Sequence, residues 1–216
     1  MEPVLNLSQQ HNLFDTTAAC PVTVIGAGAV GSHVVLALAK MGVPRITVYD
    51  GDYVESHNIP MSVYRPCDLA RSKVDALRDI VEEASGVRID ARPKYLTDEA
   101  LHDTVVCCVD SMEARQLVWR SVEMQPNTKL IDTRIAAELI WVFAIDPSDL
   151  DDIEFYQHHL SFTSKEAAHP MCGLHGIVYV SMRTAAAVCA ELTTWWQHGR
   201  KKRLHKELAG ELETLD

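Results

Sequence analysis

Residues 21–52 read PVTVIGAGAVGSHVVLALAKMGVPRITVYDGD, and the fold is decided here. A β-rich run at 22–25 leads into Gly26-Ala27-Gly28-Ala29-Val30-Gly31, which opens a helical pattern. A second apolar run at 46–49 ends on Asp50 and Asp52. Strand, G-x-G-x-x-G, helix, strand and terminal acid form the fingerprint of a nucleotide-binding βαβ unit. In such a loop Gly26 allows a sharp turn, Gly28 lets backbone N–H groups approach a phosphate, and Gly31 lets helix pack on strand. The helix N-terminus then offers unpaired donors and the positive end of its dipole to an anion. The motif implies a nucleotide without saying which, because an acid about 20 residues past the last glycine also serves the ribose of NAD. Asp50 fits either use.

Outward from this stretch, the first unit is a strand at 21–26, a helix at about 30–41 and a strand at 45–50. Val30, Val34, Val35, Leu38 and Met41 recur at helical spacing, and Gly42 is a stop signal. A polar loop with Pro60 and Pro66 follows, then a helix over about 70–84 with Val74, Leu77, Ile80 and Val81 inward. A strand is expected at 87–91, and a short helix capped by Thr97 with Asp98 and Glu99 in its first turn. Residues 104–109 read as a buried strand ending on Asp110-Ser111, with Ser111 capping a helix over 112–124. Strands follow at 129–132 and 139–145, the latter antiparallel because only a short link precedes it. Residues 146–169 are polar without a clear period, a helix covers about 174–196, and Gly199 ends it. A basic run at 200–203, read as a solvated tail, and a short amphipathic segment (Leu204, Leu208, Leu212) close the chain. The alternation predicts an α/β, Rossmann-like doubly wound sheet, mostly parallel, with antiparallel strands on its C-terminal side.

The chain has 216 residues, 47% hydrophobic and 23% charged, enough to bury one core without disulfides. A formal charge of −10 argues against nucleic acid, whose phosphates would be repelled. Six cysteines form no C-x-x-C pair, the usage of a reducing compartment in which thiols serve as small core residues. The first fifteen residues carry neither a basic n-region nor a long apolar run, and no segment approaches about 18 continuous apolar residues. A cytoplasmic protein without a membrane partner is expected.

The ordered set of motifs narrows the nucleotide. After G-A-G-A-V-G-S come D-G-D-Y-V-E-S-H-N at 50–58, Tyr64-Arg65-Pro66, Asp68-Leu69-x-x-Ser72-Lys73-Val74 and Cys108-Val109-Asp110-Ser111. This order resembles the ThiF/MoeB/HesA superfamily, relatives of the ubiquitin-activating enzymes that adenylate the C-terminus of a small ubiquitin-like or sulfur-carrier protein. The likeness covers about 21–145. It resumes at 172–196, where C-G-L-H-G-I-V-Y-V-S-M-R-T-A-A-A is similar to the family's helix after its crossover loop.

The resemblance implies a minimal standalone member of bacterial or phage type, acting as a homodimer with ATP and Mg²⁺. Its domain plan would be a lead-in at 1–20, an adenylation domain at 21–199 with a crossover loop at about 146–172, and a tail at 200–216. The loop Gly26–Gly31, Gly28 and Ala29 included, would cradle phosphate, and Asp50 would take the ribose hydroxyls, with Asp52 beside it. Asn58 would reach the phosphates, Lys73 would neutralise them, and Asp110 would hold Mg²⁺ at the end of its strand. The bland alternatives are a solvated helix cation at Lys73, a helix cap at Asp110 and a loop carboxylate at Asp52.

Two departures from the family pattern stand out. Met61 occupies the position three beyond Asn58 where the family usually carries arginine, and no arginine precedes Arg45 to be lent to a partner subunit. Arg65, Arg71 or Arg134 could substitute, and Arg134 is placed where an acceptor tail would enter. Some members form a thioester on a cysteine near the crossover loop, and Cys172 is the candidate here. His169, Cys172 and His175 also spell H-x-x-C-x-x-H, but the two C-x-x-C pairs of the family's structural zinc are absent, so zinc is not expected. Two rivals remain: an NAD-dependent oxidoreductase, and a nucleotide-binding or scaffolding relative without turnover, which the missing arginines favour.

Overall fold

The computed structural model describes residues 5–161 and 177–209. Seven strands form one sheet in the order β3-β2-β1-β4-β5-β6-β7. They are β1 Val22–Ile25, β2 Ile46–Tyr49, β3 Asp90–Arg92, β4 Thr104–Cys107, β5 Lys129–Ala136, β6 Leu139–Ile145 and β7 Leu204–Leu208. The first five pair in parallel, while β6 and β7 run antiparallel. Among the described residues five α-helices accompany them: α1 Ala29–Lys40, α2 Lys73–Ser85, α3 Met112–Val122, α4 Leu150–His158 and α5 Val178–His198. This is the doubly wound architecture that the alternation implies.

Side-chain alternation along the strands builds the two faces. Val22, Val24, Val48, Val106 and Ile131 pack under α1, α2 and α5. Val105, Cys107, Leu130, Phe143 and Ile145 pack under α3 and α4. Chain order reverses between β1 and β4, which leaves a crevice beyond their carboxyl ends, where ligands bind in such sheets. The lead-in is tied down: Phe14 is buried against Trp196, and Gln10 donates to the Met41 carbonyl at 2.7 Å.

Several elements differ from the sequence expectation. No helix forms after Thr97; Leu96 and Leu101 instead anchor an irregular loop in the core. The second helix starts at Lys73, because Ala70 turns left-handed at φ 63° and Ser72 takes the N-cap position. β5 continues to Ala136 and returns as β6 in a seven-pair hairpin. The polar stretch after 146 contains α4, capped by the Asp149 side chain on the N–H groups of Asp151 and Asp152.

The short amphipathic segment forms a strand over 204–208, and Lys201 and Arg203 of the basic run are ion-paired rather than part of a solvated tail. Residues 204–208 pair with β6, and Lys201 and Arg203 both close on the buried carboxylate of Asp152, Arg203 at 2.7 Å. Burial alone would raise the Asp152 carboxyl. Lys201, the Asp146 N–H and Arg203 together hold it below the usual carboxylate range. Among the described residues no helix is long and apolar enough to cross a membrane.

Candidate functional site

The glycine loop is shaped by contact with β4. Gly26 has φ +95°, and a Cβ there would lie 2.6 Å from the Cys108 carbonyl oxygen. A Cβ on Gly31 would lie 1.9 Å from the carbonyl oxygen of Gly26, so helix and loop touch without room for a methyl. At Gly28 a Cβ would meet nothing within 4 Å. Gly28 is also the N-cap of α1, with no side chain capping the helix and no acid in its first turn. The helix therefore presents free donors and open space together, the arrangement that accepts an anion.

Asp50 ends β2 behind this loop and is almost wholly buried. One carboxylate oxygen accepts the Ala27 N–H at 2.7 Å and the other the Asp52 N–H at 2.8 Å. It thus clips the glycine loop to the loop after β2, and each oxygen keeps acceptor capacity for a further donor. Tyr64 braces the same loop from outside by donating to the Ala27 carbonyl at 2.6 Å. Burial drives its phenol far above the ordinary range. The bracing role of Tyr64 carries no signal in the sequence beyond its place in the motif order.

Beyond the carboxyl ends of the strands lies a cleft of about 490 Å³. Gly51, Asp52 and Tyr53 line it from the loop after β2, and Glu55, His57 and Asn58 from the turn leading into or within the 3-10 helix Ser56–Met61. Lys73 enters from the first turn of α2, Tyr95 from the loop after β3, and Asp110 from the loop after β4. The Lys73 ammonium pairs with Asp52 at 2.8 Å, and the Lys73 N–H donates to the Asp52 carbonyl at 2.9 Å. The Tyr95 hydroxyl donates to the other Asp52 oxygen, and its ring covers Gly51. The Lys73 hydrogen bond, then that of Tyr95, holds the Asp52 carboxyl below its ordinary value despite partial burial. Asn58 accepts the Glu55 N–H on its side-chain oxygen at 2.9 Å, so what it offers a ligand is N–H, the polarity a phosphate needs.

Asp52, Asn58, Lys73 and Asp110 thus share one cleft, with Asp50 and the loop Gly26–Gly31 wired to it through the Asp52 and Ala27 N–H groups. Asp110 does not cap α3; that role belongs to Ser111, whose hydroxyl accepts the Ala114 N–H at 3.2 Å. The sequence reading missed Tyr53, Glu55, His57 and Tyr95, which belong to irregular segments where no periodicity reports direction.

The structure does not bring the candidate arginines to the cleft. Arg65 pairs with Asp68 and Glu83, and Arg71 with Asp68 and Asp79. Arg134 is largely buried. Its guanidinium pairs with Asp132 at 2.9 Å, donates to the His159 carbonyl at 2.9 Å and lies over the Phe143 ring. Asp132, fully buried, also meets Arg115 at 3.0 Å. Arg115 in turn donates to the carbonyls of Val109 and Thr133, both at 2.9 Å, which steadies the strand end that carries Asp110. The bidentate reach of Arg115 was not read from the sequence, although it lies five residues after Asp110 on α3.

Cys172, His169 and His175 lie outside the described residues. Among the described cysteines, Cys107 and Cys189 are buried, and burial pushes the Cys108 and Cys189 thiols up to about 12, so neither supplies a thiolate near neutral pH.

The model of the ThiF family matches residues 6–210. Ubiquitin-like modifier-activating enzyme 5 of Caenorhabditis elegans is 33% identical over 116 residues, covering 45% of this chain and 27% of the relative. The adenylyltransferase and sulfurtransferase MOCS3 of Aedes aegypti is 34% identical over 105 residues, covering 45% and 24%. The chain therefore spans about a quarter of the length of these relatives. Among solved structures, PaaA superposes with a TM-score of 0.69 at 16% identity, covering 91% of this chain and 66% of that one. Escherichia coli MccB with AMPCPP and MccA superposes with a TM-score of 0.67 at 15% identity, covering 94% and 67%. Likeness at that identity establishes the fold.

Proposed function

We propose that this chain, which belongs to the ThiF family, binds ATP with Mg²⁺ in the cleft and adenylates the C-terminal carboxylate of a small ubiquitin-like or sulfur-carrier protein or peptide. On this reading it works as a cytoplasmic homodimer. One observation carries the proposal: Asn58, Lys73 and Asp110, from three separate elements, converge with Asp52 on one cleft beside an uncapped glycine-loop helix.

The donor set suits magnesium. Among the described residues no group of three or more His, Cys, Asp or Glu side chains could hold a metal ion. Mg²⁺ asks for less, since it binds through one or two carboxylates together with substrate phosphates and water. Asp110, exposed at the end of its strand, would hold it, and the ion would supply charge neutralisation across the polyphosphate.

The residues then divide the work. The N–H groups at the start of α1 and the Asn58 amide hold phosphate oxygens. Asp50 accepts from the ribose hydroxyls with its remaining lone pairs. An oxygen of the acceptor carboxylate attacks the α-phosphorus in line, and the new O–P bond forms as the α–β phosphoanhydride bond breaks. Pyrophosphate leaves with both electrons, giving a mixed carboxylic–phosphoric anhydride, and no proton has to move. Lys73, already held in the cleft by Asp52, offsets the charge that builds on the departing pyrophosphate.

A second reading, ATP binding without turnover, is favoured by the engagement of Arg65, Arg71 and Arg134 in ion pairs away from the cleft. ATP–pyrophosphate exchange with a panel of candidate carriers separates the two. Exchange is expected only in the presence of the right carrier, and amidation of that carrier's C-terminal carboxylate is expected to abolish it. ATP binding with no exchange for any carrier would establish the second reading instead.

A further inference from the structure

We infer that His57 is the second cation of the nucleotide cleft, protonating to contact the polyphosphate; this rests on the ATP reading above.

Charge on the cleft wall motivates it. Among the described lining residues, three carboxylates (Asp52, Glu55, Asp110) face one permanent cation, Lys73. That cation is already paired with Asp52 at 2.8 Å. Asp110 would be offset by the magnesium ion it holds, which leaves Glu55 as an uncompensated negative charge facing a polyanion. The remaining lining residue able to become positive is His57. Its ring is 72% exposed, with Nδ1 3.5 Å from the Glu55 carboxylate, and it directly precedes Asn58 on the same 3-10 helix. With Nδ1 toward Glu55, protonation makes Nε2 a second donor able to meet a phosphate oxygen while the charge of Glu55 is cancelled.

The groups that share the cleft with His57 are the carboxylates of Glu55 on its own segment, Asp52 after β2 and Asp110 after β4, the Lys73 ammonium on α2, and the phenols of Tyr53 and Tyr95. With His57 protonated the cleft sets three carboxylates against two cations, and with it neutral against one.

The test is equilibrium binding of AMPCPP with Mg²⁺ between about pH 6 and pH 8.5 for the wild type, His57→Ala and His57→Lys, with Lys73→Ala alongside. The ligand's own γ-phosphate also titrates, but its contribution cancels in affinity ratios between variants. The wild type is expected to bind about two- to fivefold tighter than His57→Ala near pH 6, the range of an exposed charge contact, falling to equality near pH 8.5. His57→Lys is expected to keep that advantage over His57→Ala at every pH. A wild-type to His57→Ala ratio of one throughout, with binding still lost in Lys73→Ala, would overturn this inference alone. Failure of the wild type to bind AMPCPP at any pH would overturn the ATP reading, and this inference with it.

Discussion

Lys73→Ala is expected to lower carrier-dependent ATP–pyrophosphate exchange by about 10²–10³-fold, the scale seen when one preorganised charge-stabilising donor is removed. Two effects add. The ammonium that would meet the leaving pyrophosphate is gone, and Asp52, now without its partner at 2.8 Å, presents a bare negative charge to the nucleotide. Asp52 is about half exposed, so water can solvate it and the fold should persist. Asp110→Ala is expected to lose exchange to a similar extent, with the Mg²⁺ concentration needed for half-maximal exchange rising. Because Ser111 supplies the cap of α3, this variant should leave the melting temperature near that of the wild type. Exchange untouched by both substitutions would mean that the chemistry lies elsewhere.

Gly31→Ala should prevent stable folding, whereas Gly28→Ala should not. A methyl on Gly31 would sit 1.9 Å from the Gly26 carbonyl oxygen, and that oxygen belongs to a backbone pinned at φ +95° against β4. No rotamer change relieves such a clash. The cost should exceed the roughly 1–3 kcal/mol of ordinary overpacking and consume much of a domain's stability of about 5–15 kcal/mol. Gly28 faces open space at φ −77°, so alanine there should change unfolding free energy by no more than about 1 kcal/mol in a urea titration. The same methyl stands where phosphate would approach, so Gly28→Ala should weaken nucleotide binding while the protein stays folded. Equal stability losses at the two glycines would contradict this account of the loop.

The glycine loop and the mostly parallel, doubly wound sheet were legible in the sequence, because local periodicity and motif spacing carry them, whereas Asn58, Lys73 and Asp110 were singled out by the family resemblance. What escaped depends on partners distant in the chain. Residues 150–158 lack an apolar stripe because one of the two fully buried positions is Asp152, whose charge is matched by Lys201 and Arg203 about fifty residues later. β7 reads as LHKEL and looks like part of a polar tail until its pairing with β6 is known. Thr97 with its following acids is a sound cap signal, yet Leu96 and Leu101 gain more as separate core anchors than a one-turn helix would return. Arg134 illustrates the limit for sites: its position past a strand suits a tail-binding cation, but the buried acid that engages it is its own near neighbour, Asp132.

The central claim is that this cleft binds ATP through Lys73 and a magnesium ion held at Asp110. It is tested most directly by calorimetric titration of the wild-type protein with AMPCPP, with and without Mg²⁺, and with NAD. The account predicts AMPCPP binding that strengthens with Mg²⁺, loses that dependence in Asp110→Ala, and far exceeds any affinity for NAD. Tight NAD binding with no AMPCPP binding would contradict it.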